Sequence, residues 1–439
     1  MSYNTNVSKS YLFQLSIPIF FSNLAVPLVG LTDTFLMGHM ESEKFLAATS
    51  ISTAVMTMIL WSFGFLRMGT VGIVAQCLGR GDYRGIILTI FRNFIIALVI
   101  SILIILLKPI IINLINKFYL PTTETKDLIN DYISVRIFSA PAELGLYIVV
   151  GLFLGLQKTR VSSLIIASFC ILNIILSILF VKKYNLGITG VALGTLVAAY
   201  VVCIIALINS FWFVTAKFNL KLKTTNVFIL EKFLQLFKIN FDIFIRTILL
   251  TFAFLWLNYQ SSLISEEILA VNSILLQFIM LASFFLDAYA FSTEGVIGYT
   301  IGRKTKKNFY LAVKNSIQLS SATGLAIAFV FFILFKPIVH GLTDIDYLRY
   351  LAYGYFLWII LIPPVASFCY QLDGIFIGAA QTAEMRNGMF VSVTFFIVAS
   401  YYLVQTLSNH GLWLSFLMFM ILRALTLYFY FSRIEDKFN

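Results

Sequence analysis

Long apolar runs without alternation recur along the whole chain, among them Phe94 to Leu107, Leu164 to Val181, Val191 to Val214 and Leu319 to Phe335. A helix needs about 20 mostly apolar residues to cross the hydrocarbon core of a bilayer. Backbone groups in lipid must be satisfied within the structure, which leaves helices or a closed barrel. A barrel strand alternates in polarity and these runs do not, so they read as helices. With loops, a span takes roughly 35 residues, and 439 residues therefore allow about twelve. The pattern predicts spans near 11–38, 44–78, 84–107, 131–156, 161–181 and 187–214, then 231–262, 267–302, 309–335, 346–379, 386–406 and 410–431. The fold class is an all-α integral membrane protein.

Sliding the sequence along itself reveals a repeat. Glu43, Leu46, Ala47, Ser50 and Ile51 return 223 residues later as Glu266, Leu269, Ala270, Ser273 and Ile274. Gly79-Arg80 returns as Gly302-Arg303 at the same offset, and Tyr132, Pro141, Gly151, Phe153, Gly155 and Thr159 return as Tyr355, Pro364, Gly374, Phe376, Gly378 and Thr382. Lys108-Pro109-Ile110 and Lys336-Pro337-Ile338 pair at 228, so loop lengths differ locally. Two lobes follow, 1–214 and 231–439, joined by a linker at 215–230 that contains the basic segment Lys217 to Lys223. An even number of spans per lobe makes them parallel repeats about an axis along the membrane normal, a design that in transporters encloses a central cavity.

Composition agrees with a lipid solvent: 60% of residues are hydrophobic and 12% charged, against about 25% charged in soluble domains. The net charge of +11 lies in short clusters between apolar runs, an arrangement suited to orientation and anionic headgroups rather than nucleic acid. Arg80, Arg84, Lys158, Arg160, Arg303, Lys304, Lys306, Lys307 and Arg386 fall on one side; fewer, such as Lys44, Lys117, Lys182 and Lys336, fall on the other. The positive-inside rule then puts both termini and the linker in the cytoplasm. The polar start Met1 to Ser10 and the long first run Tyr11 to Met37 are unlike a cleaved signal peptide, so the first helix is expected to remain. Cys77, Cys170, Cys203 and Cys369 lack metal-like spacing and read as small buried hydrophobes.

No catalytic constellation, P-loop or HExxH pattern is present, which points away from an enzyme or an ATP-driven pump and toward an ion gradient. Ionisable groups inside apolar spans are costly and mark pathways or partners. Asp33 follows Pro18 and Pro27, each of which should bend the first helix and free a carbonyl. A carboxylate enclosed at such a bend can bind and release a proton; the alternative is a surface carboxylate near the helix end at Gly38 and His39. Asn173 and Ser177 share a face of the fifth span, and Thr195 of the sixth could reach the same place. Such a trio is also ordinary interhelical hydrogen bonding. Asp242 and Arg246, four apart in the seventh span, are expected to pair with each other as a structural ion pair. Asp287 and Glu294 share a face of the eighth span and Asp373 lies in the tenth, with structural and functional uses evenly balanced.

Four segments resemble the multidrug and toxic compound extrusion family, in its DNA-damage-inducible protein F branch. They are Asn23 to His39, Asn240 to Arg246, Leu286 to Gly298 and Asp373 to Asn387, and they span nearly the whole chain in the family's order. The resemblance implies two six-helix lobes around a central cavity that alternate between inward and outward openings. It also implies export of amphipathic, often cationic compounds in exchange for protons or sodium, with no cofactor. Asp33 matches the first-helix aspartate that binds the coupling ion, and Asn173 and Thr195 match further polar positions of the same lobe. Ser177 departs from the pattern, since many relatives carry a second aspartate there. One carboxylate fewer compensates sodium less well and tilts the expectation to protons. Met37, Asp287, Glu294 and Asp373 are candidates to line the cavity or touch substrate. The expected setting is a bacterial inner membrane, with the protein a monomer. Two alternatives stand beside this: a lipid-linked oligosaccharide flippase, which would line its cavity with cations such as Arg67, Arg136, Arg246 and Arg423, and a receptor or scaffold that transports nothing.

Overall fold

The computed structural model describes residues 7–218 and 229–438. Of the linker expected at 215–230, residues 219–228 lie outside the described residues. Among the described residues twelve helices are long and apolar enough to cross a membrane: Lys9–Gly38, Glu43–Arg80, Tyr83–Leu106, Thr123–Gly155, Thr159–Lys183 and Gly187–Thr215, then Leu230–Ile264, Glu266–Gly302, Lys306–Leu342, Phe356–Ala379, Thr382–Leu407 and Asn409–Phe438. They are called the first to twelfth spans below. Their outward faces carry large apolar side chains such as Phe21, Trp212 and Phe329, each about two-thirds exposed or more, as suits contact with acyl chains rather than water.

The repeated residues are the ones that start, stop and pack equivalent helices. Ser42 and Ser265, 223 apart, cap the second and eighth spans by accepting from the backbone N–H of Lys44 at 3.3 Å and of Ile268 at 3.2 Å. Glu43 and Glu266 follow in the first turns, where a carboxylate meets the positive end of the helix dipole. The glycine pairs act in packing. A Cβ on Gly151 would stand 2.7 Å from the carbonyl oxygen of Arg67, and one on Gly374 would stand 2.7 Å from that of Ala290. Gly155 meets Val71 and Gly378 meets Glu294 in the same way. Glycines four apart thus let the fourth span approach the second, and the tenth approach the eighth, at backbone distance.

Three elements differ from the sequence expectation. The second span breaks at Phe63 and Gly64, whereas its counterpart Glu266–Gly302 is unbroken. The ninth span runs through Pro337 to Leu342 instead of stopping at 335, while the matching Lys108-Pro109 opens a separate helix, Lys108–Tyr119. A proline in the first turn has no N–H to lose from the helix, but one inside a helix removes a bond. The stretch expected as one span at 346–379 is two helices, Asp346–Gly354 and Phe356–Ala379, divided at Tyr355.

By packing, the chain forms two compact units, Phe21–Phe237 and Met1–Phe20 with Lys238–Asn439. In the first, Ala142, Leu146, Val149 and Phe153 of the fourth span pack with Ala199, Val202, Cys203 and Ala206 of the sixth. In the second, an aromatic core is built from Phe278, Phe331, Phe335, Phe396, Phe416 and Trp413. Beside it Asn272 accepts from Trp413 Nε1 at 2.9 Å and donates to Asn409 and Ser261 at 2.7 Å.

The units depart from the halves 1–214 and 231–439 at two helix openings. The opening of the first span packs in the unit of the carboxyl-terminal half, where Ser16 bonds Ser292 at 3.0 Å, Asn315 donates to the Val7 carbonyl at 2.6 Å and Phe20 meets Phe285. The opening of the seventh span packs in the other unit, where the Arg92 guanidinium lies 6.0 Å from the Phe233 ring. Arg92 and Asn315, which hold these openings, are themselves 223 residues apart.

Candidate functional site

Asp33 is buried, four residues before the buried Met37 and thus on the same face of the first span. The helix runs unbroken through Pro18 and Pro27. Oδ1 of Asp33 is enclosed and has no hydrogen-bond partner. A carboxylate in this state is a place for a proton or a cation, because a buried charge without a partner is among the most costly arrangements in a fold.

The charged group acting on Asp33 is Arg136 of the fourth span, and Tyr132, one turn before Arg136, is within reach of both. Tyr132 is fully buried and shares a hydrogen bond of 3.1 Å with Thr53 of the second span. Arg136 sits at the end of a helical stretch that passes through the turn Ile137–Ser139 into Pro141, near the first turn of the next helix. That turn brings Glu143 back to Arg136. Its two carboxylate oxygens accept from Nη1 and Nη2, the second at 3.2 Å, and Ser139 Oγ donates to Oε1 at 2.6 Å. The Arg136 guanidinium is therefore fixed by a neighbouring carboxylate while its field reaches Asp33.

The fifth and sixth spans bring the expected trio together. Asn173 Nδ2 donates to Thr195 Oγ1 at 2.8 Å, and Ser177 Oγ donates to Asn173 Oδ1 at 3.4 Å. All three are buried, and Ser177 lies against the backbone of Gly194, where an added Cβ would be 2.6 Å from its Oγ. The trio thus closes on itself with neutral groups.

The expected pair of Asp242 with Arg246 is replaced by three bonds to other helices. Asp242 accepts from Arg386 Nη1 at 2.5 Å and from Thr382 Oγ1 at 3.1 Å. Arg246 donates to Asp373, which also accepts from Arg423 at 2.8 Å. A four-residue spacing puts two side chains on one face, but partners on the facing helices offer better geometry and remove both charges from lipid. Asp373 is accordingly an ion-paired group of the carboxyl-terminal unit. Glu294 is fully buried on the eighth span and Asp287 is half-buried on it.

Sequence reasoning missed Tyr132 and Glu143 as neighbours of the site. The available signal was the seven-residue interval from Arg136 to Glu143 across Pro141, a charged pair inside an apolar run. Among the described residues no group of His, Cys, Asp and Glu could hold a metal ion.

Twelve spans among the described residues, in two repeated halves and with a buried carboxylate in the first span, fit a multi-pass membrane transporter. The family model described as MatE matches the chain twice, over residues 18–179 and 243–403, one copy in each repeat. DNA damage-inducible protein F of Escherichia coli (strain K12) is 30% identical over 432 residues, covering 97% of this chain and 92% of that one. The chain belongs to the multidrug and toxic compound extrusion family. Protein DETOXIFICATION 44, chloroplastic, of Arabidopsis thaliana is 22% identical, covering 94% of this chain and 80% of that one. The fold is similar to the outward-facing conformation of a multidrug resistance MATE family transporter of the MOP superfamily, with a TM-score of 0.87 at 18% identity over 98% of this chain and 96% of that one.

Proposed function

We propose that the protein is a secondary active antiporter that exports amphipathic, often cationic organic compounds in exchange for protons, with Asp33 as the coupling carboxylate. The observation that carries this reading is the enclosed, unpartnered Oδ1 of Asp33, within the field of the Arg136 guanidinium. Proton and cationic substrate compete: an ionised Asp33 holds a cation, and a protonated one lets it go. Asn173, Ser177 and Thr195 are neutral and bond to one another, so the trio adds no carboxylate for a metal cation. That supports protons over sodium, because a sodium site needs several oxygens and more negative charge.

The drive is sufficient. One charge crossing 100 mV supplies about 2.3 kcal/mol, and one pH unit adds about 1.4 kcal/mol. The setting that fits is a bacterial inner membrane with both termini in the cytoplasm, the protein acting as a monomer that alternates between inward and outward openings. A lipid-linked oligosaccharide would need several uncommitted cations for its diphosphate. Here Arg136 is held by Glu143, and Arg246 and Arg423 share Asp373, which leaves one guanidinium unbalanced where a diphosphate would need several.

The test is reconstitution in sealed vesicles with proton and sodium gradients imposed separately, followed by efflux of dye-like cations. Flux under the proton gradient that Asp33→Asn abolishes is expected. Flux driven by sodium alone overturns the choice of ion, and flux under neither overturns the antiport.

A further inference from the structure

A second charged cluster, in the carboxyl-terminal unit, has no part in the export reading. Arg246 of the seventh span and Arg423 of the twelfth both donate through Nη2 to a single oxygen, Oδ2 of Asp373 on the tenth. All three residues are buried. In arginine, Nε and Nη2 form one edge of the guanidinium, and that edge can grip an anion side-on with two parallel bonds. Here the edge is half used in both side chains, since Nε of Arg246 and Nε of Arg423 are enclosed and have no acceptor.

Charge points the same way as the unused donors. Arginine does not give up its proton in proteins, so two permanent positive charges converge on one carboxylate oxygen. The other surroundings of Arg423 are soft and apolar, with the Phe419 ring centroid 5.4 Å from its guanidinium carbon and Met420 Sδ 3.4 Å from Nη1. Asp287, the next carboxylate, acts on Tyr370 and Cys369 of the tenth span. The Asp373 side chain keeps 11% of its surface exposed, so the cluster borders accessible space through the carboxylate.

We propose that Arg246 and Arg423, bridged by Asp373, form an anion site that takes one monovalent anionic group, either a halide or the carboxylate of an amphiphile. Such a group would give both Nε–H donors an acceptor and balance the second guanidinium. Entry follows a small shift of Asp373, which yields part of its place to the incoming anion. Passage of carboxylate amphiphiles through the protein rests on the export reading above. Anion binding itself does not, so failure of cation export leaves this site standing.

The full-length protein in neutral detergent is titrated with sodium chloride and, separately, sodium gluconate at constant ionic strength, and its unfolding temperature is read from tryptophan fluorescence. Chloride should give a saturable rise that gluconate does not, because its hydroxylated chain does not suit the apolar surroundings set by Phe419 and Met420. Sodium decanoate below its micelle concentration, compared with decyltrimethylammonium, tells whether a carboxylate headgroup binds there as well as a halide. Asp373→Asn removes the competing negative charge and should tighten chloride about tenfold, whereas a purely structural triad would be weakened whatever the anion. Arg423→Gln should abolish the chloride response. If that variant does not fold, Arg246→Lys, which keeps the charge without the fork, should weaken chloride on the order of tenfold. Coincident chloride and gluconate curves in the parent protein overturn the proposal. So does a saturable chloride effect that these arginine substitutions leave unchanged.

Discussion

At the scale of single residues, Asp33 and Ser177 make opposite predictions. Asp33→Asn keeps the shape and removes a buried charge whose Oδ1 has no partner. The variant should therefore fold and insert with its unfolding temperature within a few degrees of the parent, a change of about 1 kcal/mol or less. Gradient-driven efflux should nevertheless be lost, and near-normal flux in vesicles would remove Asp33 from the coupling role. Ser177→Asp would add a carboxylate beside Asn173, which bonds Ser177. Gly194 packs against Ser177 with no room for a Cβ, so the larger side chain should cost about 1–3 kcal/mol through overpacking, together with the burden of a buried charge. A lower unfolding temperature is expected, recovered in part by sodium but not by potassium at equal ionic strength if the new carboxylate forms a cation site. The residue scale was also the least legible in the sequence. Asp33 and the Asn173, Ser177 and Thr195 trio could be found because each is a polar interruption on an apolar helix face. The partners of Asp242 and Arg246 could not, since Arg386 and Asp373 lie 144 and 127 residues away and helical spacing specifies a face without saying what faces it.

At the scale of elements, start and stop signals were readable because they are local chemistry. The repeated glutamates and closing Gly-Arg pairs bracket equivalent spans in both halves, and the structure adds the serine caps just before the glutamates. Breaks were harder. Pro109 begins a helix and Pro337 sits inside one, although the local sequences match, because surrounding contacts decide whether a missing hydrogen bond is tolerated. The glycines offer a direct check on packing. Gly374→Ala puts a methyl group 2.7 Å from the Ala290 carbonyl oxygen, which forces the tenth and eighth spans apart at a cost of about 1–3 kcal/mol. Gly30→Ala in the first span meets nothing within 4 Å, and alanine is favoured over glycine in a helix by about 1 kcal/mol. Thermal unfolding of the two variants in one detergent should show a loss for the first and no loss for the second. Equal shifts would mean that the close approach at Gly374 is not what holds these helices together.

At the scale of the whole molecule, the packed units do not follow the repeat at two helix openings, which each unit takes from the other half of the sequence. Residues up to Phe20 complete the unit otherwise made of Lys238–Asn439, and residues up to Phe237 complete the other. Exchange of equivalent segments at equivalent positions, with Arg92 and Asn315 as the receiving residues, is the pattern of a domain-swapped dimer. The molecule can be understood as such a dimer made permanent by joining its two subunits end to end. Two fragments divided between Thr215 and Ile229 should then be poorly stable when expressed singly, since each lacks the first turns its core expects. Expressed together they should recover one another and copurify, and fragments that fold equally well alone would show that the swap is ornamental. On this reading a replacement for either half must also bring the helix opening that the other half's core receives.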